Sequence, residues 1–127
     1  MQRIFRHLWW EFETFIFSRK QYRRITSVES LTNIDDLHSD EIILVGSTKN
    51  LKWAILKCPC GCQEVIHVNL MKSHHPHWHI KRERGGTISL TPSLWVDNSR
   101  CGSHFFIWHN RVIWSAYDSE RIFDLEE

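Results

Sequence analysis

Three of the four cysteines of this chain lie within five residues, in the run Cys58-Pro59-Cys60-Gly61-Cys62, and the fourth, Cys101, lies far downstream. Thiolates this close repel one another unless they bind a cation or form a disulfide. A zinc ion with four cysteine ligands would use all of them, each sulfur about 2.3 Å from the metal. Proline fixes one backbone dihedral and glycine adopts positive φ, so the run favours the tight turn that such a site requires. The fold is therefore expected to bring residues 58–62 close to Cys101.

Zinc is favoured over a disulfide because the sequence indicates a reducing environment. His7, Glu11 and Glu13 interrupt the apolar N-terminal stretch, which excludes a secretory signal and a transmembrane helix of about 20 apolar residues. We therefore expect a cytoplasmic protein, in which clustered cysteines bind metal more often than they form disulfides. Disulfide or redox chemistry is the alternative. Four cysteine ligands predict a closed, structural zinc site, because a catalytic zinc keeps one position open for water.

The length and charge of the chain limit the other classes of function. A chain of 127 residues with a formal net charge of +1 is expected to form one domain with no general preference for nucleic acid. The β region has no basic stripe beyond Lys81, Arg82 and Arg84, so a nucleic-acid interface is not expected. Phosphate-binding loops, dinucleotide fingerprints and calcium loops are absent from the sequence.

Residues 1–24 are predicted to form an N-terminal amphipathic helix. Apolar residues recur there at helical spacing, and a basic stretch follows from Arg19 to Arg24, where the helix dipole favours cations. The helix would cover one face of a sheet. Because Trp9 and Trp10 make the segment unusually aromatic, docking onto a partner remains an alternative.

Residues 25–127 are predicted to form a single zinc-stabilised β domain. Residues 25–40 are polar and acidic and are predicted to be a connector, whereas the pattern beyond them has the period of two that is typical of strands. Gly85-Gly86 and Asn110-Arg111 predict hairpin turns. The fold class is therefore mostly β (α+β): a compact antiparallel β domain of about seven short strands. The predicted strands are 41–45, 53–57, 64–70, 77–84, 87–90, 105–109 and 112–114.

The sequence contains one candidate pair for nucleophilic catalysis. His104 follows the Cys101 turn, and a loop pinned by metal is a suitable way to position a general base. Adjacent side chains on a strand point to opposite faces, so Ser93 is a better nucleophile for His104 than Ser103. The alternatives are a histidine bonded to the backbone and a serine that caps a turn.

Two further groups of residues could contribute to binding. His74, His75, His77 and His79 lie close together, and a second metal site there is conceivable, but no carboxylate or cysteine is spaced to complete it. Most of the tryptophans of the β region are expected in the core, and a few could line a groove for an extended peptide: Trp78, Trp95, Trp108 and Trp114.

Over residues 41–116 the chain resembles a small bacterial family, the BubE-like family, formerly known only as a domain of unknown function. The resemblance is carried, in order, by Leu44-Val45-Gly46, Trp53-Ala54, Cys58-Pro59-Cys60-Gly61-Cys62, Trp78, Pro92-Ser93-Leu94-Trp95, Cys101 and His104-Phe105. Members of this family are encoded in bacterial ubiquitination-like (Bub) operons, beside ubiquitin-like proteins and their E1- and E2-like enzymes.

The resemblance implies a peptidase that processes or deconjugates a ubiquitin-like modifier. It implies Ser93 as the nucleophile, His104 as the general base, and Cys58, Cys60, Cys62 and Cys101 as the ligands of a structural zinc. The expected partners are the ubiquitin-like protein and its E1- and E2-like enzymes. A third member of the catalytic group is not assigned; Glu64 and Asp97 are candidates. The alternative function is a non-catalytic zinc module that recruits the conjugation machinery or its targets.

Overall fold

Eight strands form two four-stranded sheets in the computed structural model, which describes residues 20–31, 33–96 and 101–114. The first sheet has the order β1-β2-β3-β4 and the second the order β5-β6-β7-β8. β1 runs parallel to β2, and every other pair is antiparallel. The strands are β1 Arg24–Val28, β2 Glu41–Gly46, β3 Leu51–Lys57, β4 Val65–Asn69, β5 His79–Arg82, β6 Ile88–Trp95, β7 His104–Trp108 and β8 Arg111–Trp114, with a 3-10 turn at Arg84–Gly86.

The two sheets share one hydrophobic core. Alternate residues of strands in both sheets point into it, as the period of two requires. Its fully buried members include Tyr22, Ile42, Leu44, Leu56, Val68, Ile88, Leu90, Phe105, Ile107 and Val112. A smaller cluster lies on the other face of the first sheet, where Leu37 covers Ile43, Val45 and Ile55. Residues 42–45 of β2 are therefore buried without alternation, because apolar residues cover both faces of that strand.

Asn110 connects the second sheet to the segment before β1. His109 and Asn110 form the β7–β8 turn with φ values of +50° and +66°, a left-handed conformation that asparagine tolerates well. The Asn110 side-chain oxygen accepts a hydrogen bond from the Ile88 N–H at 2.8 Å, and its carbonyl accepts one from the Tyr22 N–H at 2.8 Å. These bonds hold residues 20–22 against β8, where Gln21 bridges to Arg111.

Most predicted strands and both hairpins are confirmed, although the turn predicted at Asn110-Arg111 lies one residue earlier, at His109-Asn110. The connector predicted for residues 25–40 is wrong at its start. β1 occupies Arg24–Val28 and pairs in parallel with β2, and Thr26 donates a hydrogen bond to the Glu41 carboxylate at 2.6 Å. The β-branched residues of this segment favour a strand although its composition is polar. β6 also continues to Trp95, beyond the predicted end at residue 90.

The helix predicted for residues 1–24 lies, up to residue 19, outside the described residues. Its final residues are extended, since Gln21 forms a bridge and β1 begins at Arg24. Within the described ranges no helix is long and apolar enough to cross a membrane.

Candidate active site and metal centre

The four cysteines converge as their spacing predicts. The Sγ atoms of Cys58, Cys60, Cys62 and Cys101 all lie within 4.8 Å of one another. Cys58 Sγ is 3.4 Å from Cys60 Sγ and 3.6 Å from Cys101 Sγ, and none of the four forms a disulfide. Thiolates around one tetrahedral zinc are about 3.8 Å apart, so this donor set fits such an ion. The four cysteines could therefore hold a metal.

A backbone knuckle after β3 brings the first three thiols together. The Cys58 N–H donates to the Glu64 carbonyl at 2.7 Å, and the Gly61 N–H donates to the Cys58 carbonyl at 3.3 Å. Gly61 has φ of +93° and Gln63 has φ of +69°, which turns the chain back toward β4. The Cys62 N–H points at Cys60 Sγ at 3.4 Å, so the backbone itself stabilises negative charge on sulfur.

The thiols differ in how readily they ionise. Burial raises the pKa of Cys58 to about 12, because a thiolate there would lose its hydration. Hydrogen bonds from the side chain and backbone of Ser103 lower the pKa of Cys101 to about 6. A bound cation would compensate for the charge that the buried Cys58 position disfavours. The chemistry of the site is thus better suited to a metal than to four free thiols.

The turn after Cys101 connects the cysteine cluster to β7. Gly102 has φ of +64°, Ser103 is buried, and the Val96 N–H donates to the Ser103 carbonyl at 2.8 Å. Ser103 Oγ lies 3.3 Å from Cys101 Sγ, on the side of the cluster. His104 begins β7 on the opposite side, as the alternation of a strand requires. Only two residues, Gly102 and Ser103, lie between Cys101 of the cluster and His104.

Ser93 and His104 are in hydrogen-bond contact. Ser93 Oγ lies 2.8 Å from His104 Nε2, within the range for a nucleophile and its base. In the register of β6 and β7, Leu94 is opposite Phe105 and Trp95 is opposite His104. Ser93 and His104 are therefore diagonal neighbours on the face that points away from the core. The structure brings the predicted pair together; its catalytic role remains a prediction.

An irregularity in β6 sets this register. Leu90 pairs with Ile107, and Leu94 pairs with Phe105. Between these two pairs, β6 advances by four residues and β7 by only two. The additional residues include Pro92, which has no N–H for a regular ladder and is tolerated where the pairing is interrupted. A regular continuation from the Leu90–Ile107 pair would put Ser93 directly opposite His104. The bulge instead puts Trp95 opposite His104 and leaves Ser93 diagonal to it, while Leu90 and Leu94 both stay buried.

Two tryptophans hold the pair in place. The Trp95 ring stacks on the His104 ring with centroids 4.9 Å apart and an angle of 11° between the planes. The Trp78 indole N–H donates to the Ser93 carbonyl at 3.2 Å. The expectation that most tryptophans are core residues is only partly met, since 44% of Trp95 and 52% of Trp108 is exposed. Trp95 follows Ser93 by two residues and therefore lies on the same face of the strand. This spacing was the sequence signal that could have placed Trp95 beside the Ser–His pair.

The described residues contain no hydrogen-bond partner for the other nitrogen of His104. Its Nδ1 is buried, and when Nε2 accepts the Ser93 hydroxyl proton, Nδ1 must carry the imidazole hydrogen. Of the two suggested third members, Glu64 lines a cavity with Trp95, and Asp97 lies outside the described residues. The described site is therefore a Ser–His dyad oriented by ring stacking.

The histidine-rich segment does not form a metal centre comparable to the cysteines. Ring centroids of His75 and His77 are 4.9 Å apart, and those of His77 and His79 are 5.2 Å apart. Although these rings are close, the four cysteines are the only group within the described part of the chain in which three or more potential metal ligands lie close enough to bind one ion.

Two sheets around one core, a four-cysteine cluster and a Ser–His pair on the outer face define a small β protein with the elements of a serine hydrolase. A family model described as bacterial ubiquitination-like system serine protease (BubE) matches residues 28–115, more than half of the chain. The chain belongs to the BubE family. Comparison with curated proteins and with solved structures gives no match.

Proposed function

We propose that this protein is a serine peptidase that processes or deconjugates a ubiquitin-like modifier in a bacterial ubiquitination-like pathway. The observation that carries the proposal is the 2.8 Å contact between Ser93 Oγ and His104 Nε2. Family membership supports the class of activity, since the family is described as serine proteases of such systems. The ubiquitin-like protein is the proposed substrate, and its E1- and E2-like enzymes are the proposed partners.

In the proposed reaction, Ser93 attacks the carbonyl carbon of the scissile amide while His104 Nε2 takes the hydroxyl proton. His104 then gives this proton to the leaving amine as the C–N bond breaks, which leaves an ester between Ser93 and the modifier. Water then attacks the ester while His104 Nε2 takes a proton from it. The bond between the acyl carbon and Ser93 Oγ breaks, His104 returns the proton to Oγ, and the modifier leaves with a free carboxylate. The stacked Trp95 ring keeps the imidazole plane in position throughout.

The proposed role of the metal is structural. Cys58, Cys60, Cys62 and Cys101 would hold one zinc ion, and the sulfur-only donor set points to zinc among the common metals. When bound, the ion supplies a cross-link between the knuckle after β3 and the loop before β7. This cross-link would fix the start of β7 and thereby the position of His104. A setting in the cytoplasm is consistent with thiols that are not paired in disulfides.

Labelling with a fluorophosphonate probe tests the nucleophile directly, because the reagent reacts with serines that a neighbouring base activates. We expect mass spectrometry to locate the adduct on Ser93, and we expect His104→Ala to slow labelling by on the order of 100-fold or more. Ser73→Ala is the matched control at an exposed serine and should label at the parent rate. The precursor of the ubiquitin-like protein should be cleaved by the parent and not by Ser93→Ala.

Other outcomes would redirect the proposal. Cleavage that survives both Ser93→Ala and His104→Ala would remove the dyad. If the parent neither labels nor cleaves, a non-catalytic module that recruits the conjugation machinery becomes the better interpretation. Mild chelation separates a third case: loss of activity with the fold retained would indicate a catalytic zinc, whereas a structural site predicts that fold and activity are lost together.

A further inference from the structure

β4 is an edge strand with hydrogen-bonding groups that its own sheet does not use. It pairs with β3 on one side and has no strand on the other side among the described residues. The Cys58 N–H bonds to the Glu64 carbonyl at one end of this pair, and the Leu70 N–H bonds to the Lys52 carbonyl at the other. Antiparallel pairing alternates, so the residues directed toward β3 are the even-numbered ones.

The odd-numbered residues Val65, His67 and Asn69 therefore direct their backbone N–H and C=O groups away from β3. Asn69 supports this assignment, because its carbonyl accepts a hydrogen bond from the Trp78 N–H at 2.8 Å. For the outward groups of Val65 and His67, no partner is found within residues 20–31, 33–96 and 101–114. Two consecutive outward positions are thus available to an incoming strand.

These positions face a cavity that lies between the two sheets. The cavity measures about 330 Å³, and its walls come from β4 and from the end of β6, including Val65, His67, Trp78, Leu94 and Val96. β5 pairs with β6 only as far as Thr91, so among the described strands the part of β6 that contains Ser93 has β7 alone as its neighbour. As far as the described residues show, the cavity between β4 and β6 leaves room for a further segment of chain.

Trp78 joins this cavity to Ser93. Its backbone N–H donates a hydrogen bond to the Asn69 carbonyl at the end of the β4 edge, and its indole N–H donates one to the Ser93 carbonyl. Trp95 lines the same cavity and stacks on His104. Trp78 and Trp95 thus connect the edge at Val65 and His67 to the Ser–His pair.

We propose that the edge of β4 at Val65 and His67 binds the substrate as an added strand and leads it to Ser93. The occupant is the extended C-terminal segment of the ubiquitin-like modifier. The scissile peptide bond lies at the C-terminus of the modifier, so the modifier must enter the cleft as a single extended chain. The backbone N–H and C=O groups of an extended chain match those of a strand edge. Two outward residues would form about four backbone hydrogen bonds with such a chain. This inference rests on the proposed function.

Amide hydrogen exchange provides a test that needs no variant of the groove. The protein is 15N-labelled Ser93→Ala, which cannot cleave, and the probe is a synthetic peptide spanning the C-terminal tail of the ubiquitin-like precursor. We expect the amides of Val65 and His67 to exchange at least about tenfold more slowly with peptide than without it. The amides of Ile66 and Val68 face β3 and should be protected in both states. The same peptide with N-methylated backbone amides should not protect Val65 and His67.

A proline at the edge tests the same contact in the active protein. His67→Pro removes an N–H that β3 does not use and obstructs the edge, and should raise KM for the precursor about tenfold or more with little change in kcat. Ser73→Ala, at an exposed serine outside this edge, should stay within about twofold of the parent. Thermal unfolding of both variants checks that the fold is retained.

The two proposals can fail separately. If Val65 and His67 are already protected without peptide, or exchange at the same rate with it, the groove is wrong even where Ser93 reacts with the fluorophosphonate. Equal KM values for a folded His67→Pro and the parent would overturn it as well. If the peptide protects these amides but Ser93 does not label, the binding site stands and the peptidase is wrong.

Discussion

The cysteine cluster and the Ser–His pair lie three residues apart in sequence but are built by different means. The cluster forms in turns, where Gly61, Gln63 and Gly102 adopt positive φ and curl the backbone around the sulfurs. The pair forms on two neighbouring strands, where the cross-strand register beyond a bulge in β6 sets the distance between the side chains. Substitutions in the cluster should therefore change stability together with activity, and substitutions in the pair should change activity alone. In the proposed function, the cluster holds the fold and the pair reacts.

The largest expected effect is at the pair. Ser93→Ala and His104→Ala should each lower kcat/KM for the precursor by on the order of 1,000-fold or more, because each removes one partner of the proton transfer. The midpoint of thermal unfolding should stay within about 3 °C of the parent, since both side chains lie on the outer face. Ser73→Ala serves as the control. If either variant loses activity because it unfolds, the pair also contributes to stability, and the proposed difference between the two sites is wrong.

The next effect is at the cluster. Cys58→Ser removes the buried ligand and should lower the free energy of unfolding by about 3 kcal/mol or more, with loss of bound zinc. Denaturant unfolding and metal analysis measure the two quantities. A chelator should destabilise the parent and leave Cys58→Ser unchanged. Undiminished stability with full metal content in the variant would mean that Cys58 is not a ligand.

A smaller effect is expected at Trp95, which positions His104 without reacting. Trp95→Ala should slow fluorophosphonate labelling of Ser93 about tenfold, because the imidazole loses the ring on which it stacks. Trp95→Phe should recover most of the rate. The small probe separates this positioning role from peptide binding in the cleft. Equal labelling rates for Trp95→Ala and the parent would show that stacking does not orient the base.

The smallest effect is expected at a hydrogen bond that supports the fold beside the cysteine cluster. The buried Tyr22 hydroxyl donates to the Lys57 carbonyl at 2.5 Å, one residue before Cys58, and burial raises the pKa of Tyr22 so that it stays a donor. Tyr22→Phe leaves that carbonyl without its partner and should cost about 1–2 kcal/mol in urea unfolding, with kcat/KM unchanged. A change in kcat/KM at unchanged stability would instead link Tyr22 to the reaction.

The residue pattern was sufficient for the local structure. The period of two predicted a strand at 64–70, whose residues Ile66, Val68 and Leu70 lie in or against the core, and the glycine and asparagine signals predicted both hairpins. The pattern failed at β1, where a polar strand is held by pairing with β2 and by the Thr26–Glu41 hydrogen bond. It also ended β6 too early, because Pro92 signals a break and the structure accommodates it in a bulge.

The sequence by itself determined which atoms could meet: four thiols at a spacing that suits one metal, and a serine and a histidine that each lie close to a predicted strand. Only the tertiary structure decided that the thiols converge within 4.8 Å and that Ser93 lies 2.8 Å from His104. The physical reason is that local patterns specify the face on which a side chain lies. The distance between side chains on neighbouring strands depends on register, and here the β6 bulge and the shared core fix that register.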